Sequence, residues 1–132
     1  MLSSQLPTAY ADTSALLAVA LEEPTAATIA QRLAQFPRLV ASNLLEAEMR
    51  AAFGRLGLEF DDGLLSDIEW VFLDRPLTEE IKHALSVAYL RGADLWHIAT
   101  ALYVQDTVAG EMTFITLDNR QRSVAANLGF AT

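Results

Sequence analysis

The sequence predicts an α/β fold with a parallel sheet, and three observations lead to this prediction. Short apolar runs alternate with segments of helical period along the chain, the pattern that successive βαβ units produce. Of its residues, 52% are hydrophobic and 20% charged, which supplies enough apolar surface for a packed core and argues against disorder. The length of 132 residues suits a single domain over residues 1–132.

Polar capping residues, glycines and prolines set the boundaries of the predicted elements. Thr13 or Ser14 is expected to cap the first helix, and Asp94 to begin a helix after Gly92. The predicted strands cover residues 8–12, 39–41, 71–74 and 112–117. The predicted helices cover about residues 13–21, 25–36, 42–55, 61–70, 78–91, 94–102 and 120–127.

Composition excludes several classes of protein. The longest apolar stretch, residues 15–21, has seven residues, far short of the roughly 20 that a membrane helix needs. Residues 1–7 contain neither a basic start nor an apolar segment, so we expect no secretory signal and a cytoplasmic location. The absence of cysteine excludes disulfides, thiolate catalysis and Cys-ligated zinc. The net charge of -8 argues against a broad nonspecific nucleic-acid surface, but not against an acidic metal pocket in a nuclease.

Most acidic residues have an ordinary explanation, because they fall at predicted helix ends or on exposed faces. These are Glu22, Glu23, Asp61, Asp62, Glu79 and Glu80.

Glu48 is different, because its neighbours three and four residues away on the predicted helix are all leucine or alanine. A carboxylate on an apolar face costs several kcal/mol unless it is paired, protonated or bound to a metal. An ion pair with Arg50 or Arg91 and a functional role are equally compatible with the pattern. Glu46, by contrast, is expected to face solvent and to pair with Arg50.

Two aspartates lie where a parallel sheet places its ligands, and a third begins a helix. Asp12 and Asp118 directly follow apolar strand runs, and ligands bind outside the carboxyl ends of such strands. Taken alone, Asp12 or Asp118 is better explained by capping or turn chemistry than by a function, and a simple N-cap also explains Asp94 at the start of its helix. If the helix that contains Asp94 packs beside the first strand, all three meet Glu48 at one edge of the sheet.

A cluster of four carboxylates is unfavourable when empty, because like charges raise one another's pKa. Divalent cations remove this repulsion, and Mg²⁺ or Mn²⁺ prefers oxygen ligands. Such a site supports attack of a metal-activated water on a phosphodiester, so the cluster indicates hydrolysis of a nucleic-acid backbone.

With these residues in place, the sequence resembles the PIN-domain ribonucleases, in particular the VapC-like toxins of bacterial toxin-antitoxin pairs. The matching segments occur in family order over almost the whole chain: residues 10–16 (YADTSAL), 42–50 (SNLLEAEMR), 91–101 (RGADLWHIATA) and 114–120 (FITLDNR). Leu117 departs from the family pattern, in which a polar residue often precedes the last aspartate.

The resemblance implies a three-layer α/β/α domain with a central, mostly parallel sheet of four or five strands. It also implies Mg²⁺- or Mn²⁺-dependent endonucleolytic cleavage of RNA, a homodimer, and a partner antitoxin whose tail covers the active site. The family's acidic metal-binding quartet falls on Asp12, Glu48, Asp94 and Asp118. Positions whose hydroxyls support that site fall on Ser14 and Thr116.

For other residues near these segments, the sequence gives weaker support for a role in catalysis or RNA binding. Arg120 is a candidate RNA-phosphate contact, although a solvated charge is the more usual explanation. His97 is expected to pack between helices rather than to bind metal or act as a base. Trp70 and Trp96 are expected in core or dimer packing rather than in base stacking.

Two other functions compete with the nuclease. A catalytically silent module of the same fold, acting as a scaffold, would keep the architecture without turnover. A phosphoacceptor receiver domain would resemble it in length and acidity, but that family places a lysine at a late strand end, whereas Lys82 lies in a predicted helix. Nucleotide hydrolysis of the P-loop type has no glycine-rich Lys-Ser or Lys-Thr motif to support it.

Overall fold

The computed structural model describes residues 6–132, so most of the N-terminal stretch that argues against a secretory signal lies outside the described residues. A parallel sheet of four strands in the order β3-β2-β1-β4 forms the centre of this part of the chain. The strands are β1 (Thr8–Ala11), β2 (Arg38–Ser42), β3 (Ile68–Val71) and β4 (Thr113–Ile115). The helices are α1 (Thr13–Ala20), α2 (Ala26–Leu33), α3 (Leu44–Arg55), α4 (Thr78–Val87), α5 (Gly92–Gln105) and α6 (Asn119–Asn127).

Side-chain alternation along the strands places apolar side chains on both faces of the sheet. Tyr10 and Phe114 point to one face, where they pack with Ile98 of α5 and with residues of α4 and α6. Ala11 points to the opposite face and packs with Leu45 of α3 and with residues of α1. The sheet therefore lies between two helical layers, and the three-layer α/β/α fold expected from the sequence is confirmed.

The prediction was wrong between residues 61 and 74. A short 3₁₀ helix (Asp62–Leu65) replaces most of the predicted helix, and β3 begins at Ile68, three residues before the predicted strand. Ile68 and Trp70 pack toward the core while Glu69 faces out and binds Arg38 of β2 at 2.7 Å. Pairing with β2 selects this alternating segment, and the apolar run beyond it leaves the sheet.

Helix starts also differ from the predicted ones in detail. Asp12, rather than Thr13 or Ser14, caps α1 by accepting a hydrogen bond from the Ala15 amide. The fifth helix begins at Gly92, so Asp94 lies inside its first turn instead of at the cap position. Both aspartates keep a favourable position near a helix N-terminus.

No helix within residues 6–132 combines the length and the apolar character needed to cross a membrane.

Candidate active site

The carboxyl edge of the sheet brings the ends of β1 and β4 together. Ala11 lies opposite Ile115 in the parallel register, so Asp12 and Thr116 each follow a paired residue. The Asp12 amide continues the ladder by donating to the Ile115 carbonyl at 3.1 Å. Asp12 and Thr116 therefore emerge side by side, as parallel pairing of the two strands requires.

Hydroxyl groups hold the buried carboxylate of Asp12. The residue is 3% exposed. Ser14 donates to Oδ1 at 2.7 Å and Thr116 donates to Oδ2 at 2.8 Å, while the Ala15 amide reaches Oδ1 at 3.3 Å. Burial raises the pKa of Asp12, and the hydrogen bonds from Ser14 and Thr116 partly offset this. The carboxylate is thus fixed in orientation but poorly solvated.

Asp118 is linked to the Asp12 carboxylate through the same threonine. Its amide donates to Thr116 Oγ1 at 3.0 Å, and its carboxylate caps α6 by accepting from the Gln121 amide at 2.9 Å. The fully buried Gln121 side chain lies 3.2 Å from Thr116 Oγ1 and donates to the main-chain carbonyl of Asp94 at 3.2 Å. Gln121 therefore joins α6 to α5. Sequence reasoning missed it, although an N-cap followed by Gln three residues later is a recognisable capping pattern.

Asp94 in the first turn of α5 lies close enough to the other acids to interact with their charges. Burial raises its pKa most, followed by repulsion from Asp118, with a smaller contribution from Glu48. The Arg91 guanidinium acts in the opposite direction but stays 3.8 Å from the Asp94 carboxylate and is largely exposed. Asp94 thus interacts electrostatically with Glu48 of α3 and with Asp118, the N-cap of α6.

Glu48 is half-buried on α3, and neither arginine considered from the sequence pairs with it. Arg50 instead binds Glu46 at 2.8 Å, as predicted, and Asp62 at 2.7 Å. The partners of Glu48 are Thr13, whose hydroxyl lies 2.6 Å from Oε1, and the imidazole of His97, whose Nε2 lies 2.8 Å from the same oxygen. These contacts, the hydrogen bond from His97 above all, lower the pKa of Glu48.

His97 packs between elements as expected, but its two ring nitrogens also make specific polar contacts. It is 2% exposed, and Nδ1 lies 2.8 Å from the hydroxyl of Tyr10 on β1. The Tyr10 ring is fully buried and stacks on Phe114, and burial raises the pKa of Tyr10 far above its usual range. The histidine therefore connects the core of the sheet to Glu48. Its position three residues after Asp94, on one helical face with it, was the available signal.

The chemistry of the four acids fits a hydrated divalent cation. All donors are carboxylate oxygens, and Mg²⁺ commonly takes one or two carboxylates while it keeps several waters. Within residues 6–132, no three Asp, Glu or His side chains converge closely enough to hold an ion together. The ligand chemistry therefore suits Mg²⁺ or Mn²⁺, while the side chains within residues 6–132, as they stand, form no ready group of three around one point.

The remaining candidates lie around this edge. Arg120 is exposed and donates to the Tyr89 carbonyl at 3.3 Å, whereas Arg122 binds the Thr116 carbonyl at 2.7 Å. The Trp96 indole donates to Ser42 Oγ at 3.1 Å. Arg122 is thus tied to the strand end, while Arg120 is the more exposed cation.

Comparison with known proteins identifies the family. The PIN domain family model matches residues 9–127, which is most of the chain. No curated protein matches the sequence. PIN domains are generally nucleases that act on RNA or DNA, and they generally use divalent metal ions. From the extent of this match, together with the three-layer fold, the chain belongs to the PIN-domain family.

Proposed function

We propose that this chain is a metal-dependent endoribonuclease that hydrolyses RNA phosphodiester bonds at Asp12, Glu48, Asp94 and Asp118. The observation that carries the proposal is the proximity of the acids at one edge of the sheet. Thr116 contacts both the Asp12 carboxylate and the Asp118 amide, and Gln121 links α6 to the Asp94 carbonyl. Burial raises the pKa of Asp94 most, and the charges of Asp118 and Glu48 raise it further. Acids from separate segments of the chain interact at one edge of a nuclease fold, where a cation would relieve the repulsion.

Each acid has a distinct place in the proposed mechanism. Asp12, Asp94 and Asp118 would be direct ligands of Mg²⁺ or Mn²⁺, which requires their carboxylates to come closer together than they stand within residues 6–132. Ser14 and Thr116 hold the Asp12 carboxylate in its orientation. A divalent ion, when bound, stabilises charge on the attacking and leaving oxygens of the phosphodiester.

Glu48 serves as a further ligand or as the carboxylate that orients the attacking water. Its side chain is 31% exposed, so water can reach it. Arg120, exposed beside Asp118, is available to contact an RNA phosphate.

The biological setting proposed for the enzyme rests on the resemblance to the VapC-like toxins. In that setting the chain is a single PIN domain over residues 1–132, acts as a cytoplasmic homodimer, and is the toxin of a type II toxin-antitoxin pair. Its partners are then the RNA substrate and a cognate antitoxin.

One observation favours a second candidate, a catalytically silent PIN-fold scaffold. No three acidic or histidine side chains within residues 6–132 form a preformed ion-binding group. In a scaffold, the same fold would persist without metal binding or turnover.

Cleavage of a labelled RNA by purified protein in Mn²⁺ tests the proposal. Asp12→Asn and Asp94→Asn are expected to reduce the rate at least about 100-fold, because each removes a charged ligand. Asp67→Asn, an exposed acid outside the site, serves as the matched control and should cleave like wild type. Circular dichroism of each variant checks that the fold is retained.

Two outcomes distinguish the candidates. Wild-type cleavage rates in the folded Asp12→Asn and Asp94→Asn variants would contradict the proposed site. Failure of the wild-type protein to bind millimolar Mn²⁺ in calorimetry would favour the scaffold. Sequencing of RNA 5′ ends after a short induction, with Asp12→Asn as control, would identify the RNA that is cut.

A further inference from the structure

The two carboxylate oxygens of Glu48 are used unequally. Two groups contact Oε1: the Thr13 hydroxyl at 2.6 Å and His97 Nε2 at 2.8 Å. Oε2 accepts no hydrogen bond from any residue within 6–132. The carboxylate is therefore held through one oxygen, and the other stays available to a ligand.

Contacts on the side of His97 that faces away from Glu48 favour Nδ1 as the acceptor nitrogen of the ring. The buried Tyr10 hydroxyl accepts a hydrogen bond from the Ser42 amide at 3.2 Å, so its own proton is free for another acceptor. His97 Nδ1, at 2.8 Å, is in place to accept it. With Nδ1 as the acceptor, the Nε2 N–H is in place to donate to Glu48 Oε1 at 2.8 Å.

We propose that His97 is a positioning residue that fixes the Glu48 carboxylate and presents Oε2 to the divalent ion, either directly or through a water bound to that ion. Tyr10 sets the tautomer of His97, and Thr13 supplies the second donor to Oε1. The identity of the group that meets Oε2 rests on the proposed function. The orientation of Glu48 rests only on the hydrogen bonds.

Packing alone accounts poorly for a histidine at this position. Its side chain is 2% exposed, and both ring nitrogens are hydrogen-bonded to polar groups of other segments. An apolar residue would fill the same space without burying two polar atoms. Since Asp94 lies one turn earlier on the same helix, α5 carries both a proposed ligand and the group that orients Glu48 of α3.

Mn²⁺ affinity, measured by calorimetry, tests the proposal without requiring turnover. His97→Ala is expected to weaken binding about 10- to 100-fold, the usual effect of losing a hydrogen bond to a metal ligand. His97→Gln, whose amide can still donate to Oε1, should recover a large part of this loss. In a Glu48→Gln background, His97→Ala should add less than about a twofold effect, because the residue acts through Glu48.

A general structural role predicts a different pattern. Wild-type Mn²⁺ affinity in folded His97→Ala would overturn the proposal, and so would a loss that persists undiminished in the Glu48→Gln background. If the His97 variants do not fold, Thr13→Val against Thr13→Ser tests the other donor at Oε1. A loss of about threefold or more in Thr13→Val alone is the expected result, and equal affinities would overturn the proposal.

Long-range ¹⁵N-¹H spectra of the wild-type imidazole give a readout that needs no metal. We expect a protonated Nε2 and an unprotonated Nδ1 on His97, and the opposite tautomer would overturn the proposal. If the wild-type protein binds no Mn²⁺, the proposed function fails, while these spectra still decide whether His97 donates to Glu48.

Discussion

The Thr116 hydroxyl donates a 2.8 Å hydrogen bond to Oδ2 of Asp12, although 104 residues separate the two in the chain. The contact exists because β1 and β4 are adjacent and end in register. Ser14 donates to the other oxygen of the carboxylate at 2.7 Å. Within residues 6–132 this buried carboxylate makes no ion pair, and it therefore depends on hydroxyl donors. Replacing either hydroxyl group with an apolar group would therefore leave one oxygen of a buried carboxylate without its hydroxyl donor.

Thr116→Val is expected to destabilise the fold. The substitution removes the donor to Asp12 Oδ2 and the acceptor of the Asp118 amide, and an unsatisfied buried polar group costs about 1 to 3 kcal/mol. Urea unfolding should therefore show a free energy of unfolding lower by about that amount. Thr116→Ser keeps the hydroxyl and is the control. Equal stability of the valine variant and wild type would contradict this account of Asp12.

Asp94→Asn is expected to stabilise the metal-free protein slightly. Burial and the nearby Asp118 raise the pKa of Asp94, so the ionised carboxylate is disfavoured in the folded state at neutral pH. Removing the charge should raise Tm by about 1 to 3 °C in calorimetry with EDTA present. Asp67→Asn, which removes an exposed charge elsewhere, should change Tm less. A large drop in Tm for Asp94→Asn would instead indicate that this carboxylate has a structural role.

Glu80 gives a separate prediction about pH, because it lies in the first turn of α4, at a helix end as expected, and yet is buried. The residue is 9% exposed, and Arg75 binds its two oxygens at 2.6 and 3.1 Å. The hydrogen bond from Arg75 lowers the pKa of Glu80. The pair therefore stabilises the fold above the unfolded-state pKa of the carboxyl group, and this stabilisation disappears as the pH falls through the lower, folded-state pKa.

Glu80→Gln should accordingly lower Tm by about 2 to 5 °C at pH 7. The difference from wild type should shrink steadily as the pH is lowered from 5 to about 3. Thermal unfolding followed by circular dichroism across this range measures it. Glu79→Gln, at the adjacent exposed position, should show no comparable pH-dependent difference. A difference between Glu80→Gln and wild type that is constant with pH would exclude the ion pair as its cause.

Substitutions of two arginines of α6 are expected to affect different properties: one substitution should lower stability, and the other should weaken RNA binding. Arg122 donates to the Thr116 carbonyl at 2.7 Å, so Arg122→Ala should lower the free energy of unfolding by about 1 kcal/mol. Arg120 is exposed, and Arg120→Ala should leave stability nearly unchanged while it raises the KM for RNA about 3- to 10-fold. Steady-state kinetics and urea unfolding on both variants test this. An unchanged KM in Arg120→Ala would remove Arg120 as a phosphate contact.

Local patterns predicted much of the fold because they depend on neighbours in the chain. The strand ending before Asp12 and the helix that follows it were predicted from an apolar run and nearby capping residues. The same reasoning failed at Ile68–Val71, where the apolar run after Trp70 was more strand-like than the segment that pairs with β2. Pairing with another strand, rather than local propensity, decided that boundary.

The sequence by itself determined that acids follow the ends of β1 and β4, and that one glutamate lies on an apolar helix face, because strand ends and helix faces depend on local periodicity. Only the tertiary structure decided what those acids contact. His97 and Thr13 meet Glu48, and Gln121 meets the Asp94 carbonyl, because α3, α5 and α6 pack around the same edge of the sheet. Such contacts depend on side chains that are distant in the chain, and no local pattern specifies their partners.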